Sequence, residues 1–234
     1  MEGTLRMRRR ELRTDVLVVG DGGAGLRAAV EAAEQGARVV LVSKLAPDQP
    51  NSTSVIGGWG AYRRREEVED YFRMVVEEGN YINDQELAWI YAHEVVDRMP
   101  ELKRFGVDMR LEVCEQERPG AVRELWFFPG PKGRLGDAIR TPLRRAAVER
   151  GVQILGRTSL TRLLTSGGAV VGATALDLDS GEFLVISAGA VVLATGGRPA
   201  STHARTTPRG PPGMGTRWPT GRARSSWTWS STPS

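Results

Sequence analysis

Apolar positions in this chain gather into short runs separated by glycine-rich or charged segments, and the order near the amino end is the clearest. Residues 16–19 (VLVV) are a β-branched run suited to a buried parallel strand. Ala24, Ala28, Ala29, Ala32 and Ala33 follow, small enough for a helix to lie close on a sheet. Gly36 ends that helix before a second strand over residues 38–42, so strand, helix and strand form one βαβ unit. Farther on, Leu87, Ile90, Tyr91, Val95 and Met99 recur at helical spacing and predict the core face of a helix. His93 falls on that helix and reads as packed or solvent-facing rather than catalytic. Residues 188–193 form another apolar strand. No apolar run approaches the ~18 residues of a membrane span. After Arg198 neither helical nor strand period survives.

The turn between the first strand and the helix carries the chemistry. Gly20, Gly22 and Gly25 make G-x-G-x-x-G directly after the strand, with Gly23 and Ala24 completing the turn. Gly20 allows the tight turn, Gly22 lets a pyrophosphate approach the backbone, and Gly25 lets the helix pack on the strand. Free N–H groups at the helix start then face the phosphates. An NAD site usually carries Asp or Glu at the end of the second strand to hold the ribose hydroxyls. Here Ser43 stands there, followed by Lys44. The Ser43 hydroxyl can still bond a ribose, but plain NAD loses ground. Ala194, Thr195, Gly196 and Gly197 follow the strand at 188–193, at the carboxyl end where open α/β sheets place ligands.

Taken together, residues 15–29 (DVLVVGDGGAGLRAA), the Ser43-Lys44 pair, Gly57-Gly58 and residues 191–197 (VVLATGG) resemble the flavoprotein subunit of succinate dehydrogenase and fumarate reductase, and the related L-aspartate oxidases. The resemblance runs over about residues 15–209. It implies an α/β, doubly wound Rossmann-like FAD-binding domain, here incomplete and without the family's capping domain. Residues 70–107 resemble the family's paired helices with a joint at 79–84, and residues 134–151 its helix leading into a strand at 152–155. The segment around Ser159, Leu160 and Thr161 resembles the one that contacts the adenine through its backbone. Many membrane-bound relatives tether FAD through a histidine where Asn51 stands, so the resemblance implies FAD held without a covalent bond. Asn51 and Ser52 would hydrogen-bond the flavin or pyrophosphate, or form a polar turn before the Gly-rich loop.

The implied reaction is hydride transfer between flavin and a dicarboxylate-like substrate. An iron–sulfur subunit would be the electron-transfer partner, and the location cytoplasmic, peripheral to a membrane through that partner. The family's catalytic motifs lie mostly beyond this chain. Arg134 reads as a helix-start charge or a group approaching substrate, and the cluster Trp126, Phe127, Phe128 as a flavin cover or core filling. Two other readings stay open: an FAD-binding fragment without turnover, and an NAD-dependent reductase using the same cradle.

Composition changes the picture at the carboxyl end. Residues 198–234 are rich in Ser, Thr, Pro, Arg and Gly, yet hold three of the six tryptophans, whereas disordered segments are poor in aromatics. Permitted codons for residues 210–229, read one nucleotide out of phase, yield a segment resembling the family's continuation after ATGG. Residues 210–234 therefore read as a frameshifted tail, the authentic chain continuing beyond Ser234. Of the 32 basic side chains six fall in 198–234 with no acid among them, leaving 26 against 28 acidic ones, so the net charge of +4 gives no support for nucleic-acid binding. Residues 1–14 read as a basic, solvated arm. Cys114 is the single cysteine, which excludes an internal disulfide and a cysteine-ligated metal centre built by this chain.

Overall fold

A computed structural model describes residues 8–46, 49, 58–61, 65–108, 110–115, 122–127 and 136–196. The amino-terminal βαβ unit is present: β1 (Arg9–Val19), α1 (Gly23–Glu34) and β2 (Val39–Val42), with β1 and β2 parallel from Val16 opposite Val39 to Val19 opposite Val42. Next come β3 (Gly58–Ala61), a short 3-10 turn, α2 (Val68–Glu78), α3 (Gln85–Arg104), β4 (Arg110–Glu115) and β5 (Val122–Phe127). The strands of this insertion form a separate antiparallel sheet ordered β3-β5-β4. The chain returns through α4 (Asp137–Glu149) and β6 (Gln153–Leu155), then runs through β7 (Thr158–Ser166), β8 (Ala169–Asp177) and β9 (Phe183–Leu193).

The main sheet is ordered β6-β2-β1-β9-β8-β7, and its first four strands are parallel. Side chains alternate between its faces, as the pleat requires. Val18, Val39 and Leu41 join Leu26, Ala29 and Val30 of α1 and Leu143 and Ala147 of α4 in one core cluster. Leu17, Val19, Val40 and Val42 point the other way, into a cluster with Ala173 and Ala175 of β8 and Ile186 of β9. The α/β architecture implied by the resemblance is therefore present. On its second face the cluster is completed by side chains of β7 and β8, the antiparallel strands that continue the same sheet beyond β9.

Two expectations need correction. Residues 9–14, read as a solvated arm, have exposed arginine side chains but a paired backbone: β1 runs beside β9 from Arg9 opposite Phe183 onward. The partner lies some 170 residues away, out of reach of any local pattern. The core face of α3 is also rotated from the one predicted. Leu87 and Ile90 are 64% and 46% exposed, whereas Val95 is buried as predicted, together with Ala88 and Ala92, which were not predicted. Small residues sit where helices cross closely, so the alanines face inward and the larger side chains are displaced outward. Tyr91 is half-buried, its hydroxyl 3.2 Å from that of Tyr71. The side chain of Met99 lies outside the described residues. The joint between α2 and α3 is as expected: Asp84 caps α3, accepting from the backbone N–H groups of Glu86 and Leu87 at 3.0 and 3.2 Å. His93 packs on the Trp89 ring with centroids 3.9 Å apart, which agrees with a structural role.

Candidate functional site

The four parallel strands stand in the order third, second, first, fourth along the chain, so the direction of winding reverses between β1 and β9. Ligands of open α/β sheets bind at that reversal, outside the carboxyl ends of the strands. Here the two strand ends are stitched together: Ala194 N donates to Val19 O at 2.8 Å, and Gly20 N donates to Val42 O at 2.8 Å. Gly20 has φ +108°, and a Cβ on it would sit 2.3 Å from Ala194 O. A Cβ on Gly25 would sit 1.9 Å from Gly20 O and 3.3 Å from the Ala194 Cβ. The glycines are thus required by backbone contact between the turn, the start of α1 and the segment after β9.

α1 begins with an extended Gly22 as its N-cap, no side chain caps it, and its first turn holds no acid. Its amino end, with the positive end of the helix dipole behind it, is the kind of place where backbone N–H groups receive an anion. These features fit the diphosphate of a dinucleotide. Ala24 is exposed in the first turn, while Gly25, Leu26, Ala29 and Val30 form the buried face of the helix.

At the end of β2 the structure adds a residue that sequence reasoning passed over. Ser43 is buried, and its hydroxyl donates to Asp21 Oδ1 at 2.7 Å. Asp21, the residue between Gly20 and Gly22, is itself buried and pairs with Arg140 of α4 at 2.5 Å, both side chains 4% exposed. Arg140 also donates to Asp21 O at 3.4 Å and to Gln49 O at 3.0 Å. Arg144 approaches the same carboxylate at 3.7 Å. An Asp inside the glycine motif was the available signal, but its partner lies 119 residues away in sequence.

The backbone of Ser43 is bound on both sides, its N–H donating to Leu155 O and its carbonyl accepting from Thr158 N, each at 2.8 Å. The start of β7 is thereby held beside the end of β2. Leu160 is half-buried and packs on the cluster behind the sheet. The pairing of β7 with β8 skips between Leu160 and Arg162, taking Thr161 out of the register. Such bulges gather next to binding sites. Lys44, Thr195 and Gly196 are exposed, and Gly196 has φ +73°. Gly58 opens β3 opposite Phe127 of β5, and Trp126 pairs there with Trp59.

Asn51, Ser52, Gly57 and Gly197 lie outside the described residues, as do Phe128, Arg134, His203 and the tail at 210–234. A cavity of about 460 Å³ lined by Arg13, Asp15, Val171 and Ser187 opens midway along β1 and β9, away from their carboxyl ends. Among the described residues there is no group of three His, Cys, Asp or Glu able to hold a metal, and no helix long and apolar enough to cross a membrane.

A parallel sheet with its winding reversal beside a glycine turn and an uncapped helix start defines a dinucleotide-binding α/β domain. The chain belongs to the FAD binding domain family, whose sequence model matches residues 15–225. The dinucleotide is therefore FAD. Among proteins similar to it, the fumarate reductase flavoprotein subunit of Mycobacterium tuberculosis is 30% identical over 195 residues, covering 78% of this chain and 32% of that protein. The succinate dehydrogenase flavoprotein subunit of Rickettsia bellii is 31% identical over 196 residues, covering 78% of this chain and 33% of its own length. The open conformation of a flavocytochrome c3 fumarate reductase superposes with a TM-score of 0.68 at 29% identity, over 80% of this chain and 34% of that one. This chain spans about a third of the length of the curated relatives it matches.

Proposed function

We propose that this chain is the FAD-holding part of an oxidoreductase of the succinate dehydrogenase and fumarate reductase type, which transfers hydride to or from a dicarboxylate-like substrate. The observation that carries the reading is the convergence at the winding reversal, where the glycine turn, the start of α1 and the Ala194 segment touch backbone to backbone. Bound flavin supplies the hydride chemistry. The residues of this chain bind and orient it. Gly20 and Gly22 admit the diphosphate to the backbone, and the amino end of α1 donates to it. The backbone around Leu160 and Thr161, where the strand register shifts, is offered to the adenine, and Ala194, Thr195 and Gly196 border the path toward the flavin.

The four segments that build this cradle all lie before residue 197, whereas the chain spans a third of its relatives' length. We therefore assign cofactor binding to these residues, and the step on the substrate to none of them. Binding is non-covalent in this reading, because Asn51 stands where tethered relatives carry histidine. An iron–sulfur subunit is the proposed electron partner, with the assembly peripheral to a membrane.

The test is to sequence the gene across the Gly210 codon to the next stop, then assay both products with fumarate or succinate and an artificial electron carrier. The reading expects an additional nucleotide near Gly210, a long downstream frame, and dicarboxylate turnover by the longer protein alone. A long product that binds FAD but turns over none of the dicarboxylates would overturn the substrate assignment.

A further inference from the structure

The buried ion pair between Asp21 and Arg140 is not accounted for by stability. Taking two charges out of water costs about as much as their attraction returns, and apolar pairs of similar volume serve as well or better. Nor does its position follow from α1 packing on α4, which Leu26, Ala29, Leu143 and Ala147 accomplish with apolar surface. The pair sits instead where three segments of the cofactor site meet. Asp21 is the middle of the glycine turn. Ser43, donating to its Oδ1 at 2.7 Å, ends β2. Gln49, whose carbonyl accepts from Arg140 Nη1 at 3.0 Å, lies on the stretch leading to Asn51 and Ser52.

Arg140 spends its guanidinium on all three sides. Its Nη2 meets the Asp21 carboxylate at 2.5 Å, its Nε the Asp21 carbonyl at 3.4 Å, and its Nη1 the Gln49 carbonyl. A planar fork satisfied this way fixes the distances among the groups it joins, which a flexible ammonium would not do. The Ser43 hydroxyl meanwhile donates its hydrogen bond to Asp21 and accepts from Leu45 N at 3.3 Å, so its side chain is held inward.

We propose that Asp21 and Arg140 are positioning residues of the FAD site: their buried pair, with Ser43 bound to it, fixes the glycine turn against the end of β2. The diphosphate and the adenosine ribose are then received at one set spacing. Asp21, a carboxylate within the turn itself, does not take the part of the ribose-binding carboxylate that dinucleotide sites usually carry at the end of the second strand. It acts through Ser43 and Arg140 and not by touching the cofactor. The inference rests on the FAD reading above.

The experiment compares the 234-residue chain with Asp21→Asn, Arg140→Met, Arg140→Lys and the Asp21→Asn/Arg140→Met double variant. For each, FAD affinity is titrated by quenching of protein fluorescence well below the unfolding midpoint, ADP is titrated as a competitor, and the midpoint of the FAD-free protein is recorded. Coupled neighbours share an interaction worth about a factor of ten. The double variant, which removes both charges of the buried pair and leaves only the more exposed Arg144 without its Asp21 contact, is expected to unfold within a few degrees of the parent and to bind FAD about tenfold more weakly. ADP weakens by the same factor, Arg140→Lys falls between, and the double variant binds no worse than Arg140→Met. A purely structural pair would move the unfolding midpoint and leave both affinities unchanged. A folded double variant whose FAD and ADP affinities stay within about twofold of the parent overturns the inference. If the double variant does not fold, Asp21→Asn decides by the same criterion. A parent chain that takes up no FAD overturns the cofactor reading, and the inference with it.

Discussion

Gly25 tolerates no side chain, because a Cβ there would lie 1.9 Å from the carbonyl oxygen of Gly20, and neither backbone can yield without opening the turn. Gly25→Ala is expected to cost about 3 kcal/mol in urea unfolding and to abolish FAD uptake; wild-type affinity in this variant would contradict the close packing. Arg38 and Asp15 give a second test at this scale. The Arg38 guanidinium donates to Asp15 from Nε and Nη2 at 2.9 and 2.7 Å, and its backbone N–H adds a third bond, which lowers the Asp15 pKa from 3.8 to about 2. A carboxyl depressed in the folded state contributes stability that is fully present above its unfolded pKa and lost as pH falls through the folded one. The unfolding midpoint of the parent should therefore exceed that of Arg38→Met at pH 5, with the difference shrinking from about pH 4 to pH 2. The pair is half-exposed, so added salt reduces the difference at pH 5. A gap that persists at pH 2 would assign the effect to Arg38 packing instead.

Elements differ in how much of them the sequence disclosed. β1, α1 and β2 were legible because a β-branched run, three glycines and a set of alanines all serve one local purpose, the approach of a helix to a strand. β9 was legible in its second half, where apolar residues run to Leu193, and not in its first, which pairs with the arginine-bearing start of β1. The inward face of α3 was legible at Val95 and not at Leu87 or Ile90, because helical spacing alone leaves the rotation open and the crossing with its neighbours selects Ala88 and Ala92. Asp84 was legible as part of a joint and turned out to cap the helix. Asp84→Ala should cost about 1 kcal/mol, read from the urea midpoint at unchanged slope. Tyr81, with φ +58° and 65% exposure, is held in the left-handed region at the preceding turn. Tyr81→Gly removes about 1 kcal/mol of that strain and is expected to raise the thermal midpoint; a fall would mean that contacts of the Tyr81 ring with its own chain outweigh the strain. Asp21 and Arg140 escaped sequence reasoning altogether, since nothing local marks the partner of an aspartate 119 residues distant.

At the scale of the whole molecule, two sheet faces packed by different means support a single binding edge: α1 and α4 on one side, side chains of β7 and β8 on the other, with the ligand placed at the carboxyl ends of β1, β2 and β9. A ligand that binds the folded state alone stabilises it by mass action, about 2.7 kcal/mol at a hundredfold excess over its Kd. FAD should raise the thermal midpoint accordingly, and NAD at equal concentration should not. The most direct test of the account is the absorption spectrum of the purified 234-residue chain after incubation with FAD and removal of the excess. A flavin spectrum at one FAD per chain is expected, with the flavin released into the supernatant when the protein is precipitated by acid. A colourless protein would contradict the binding site, and flavin retained in the precipitate would contradict non-covalent binding.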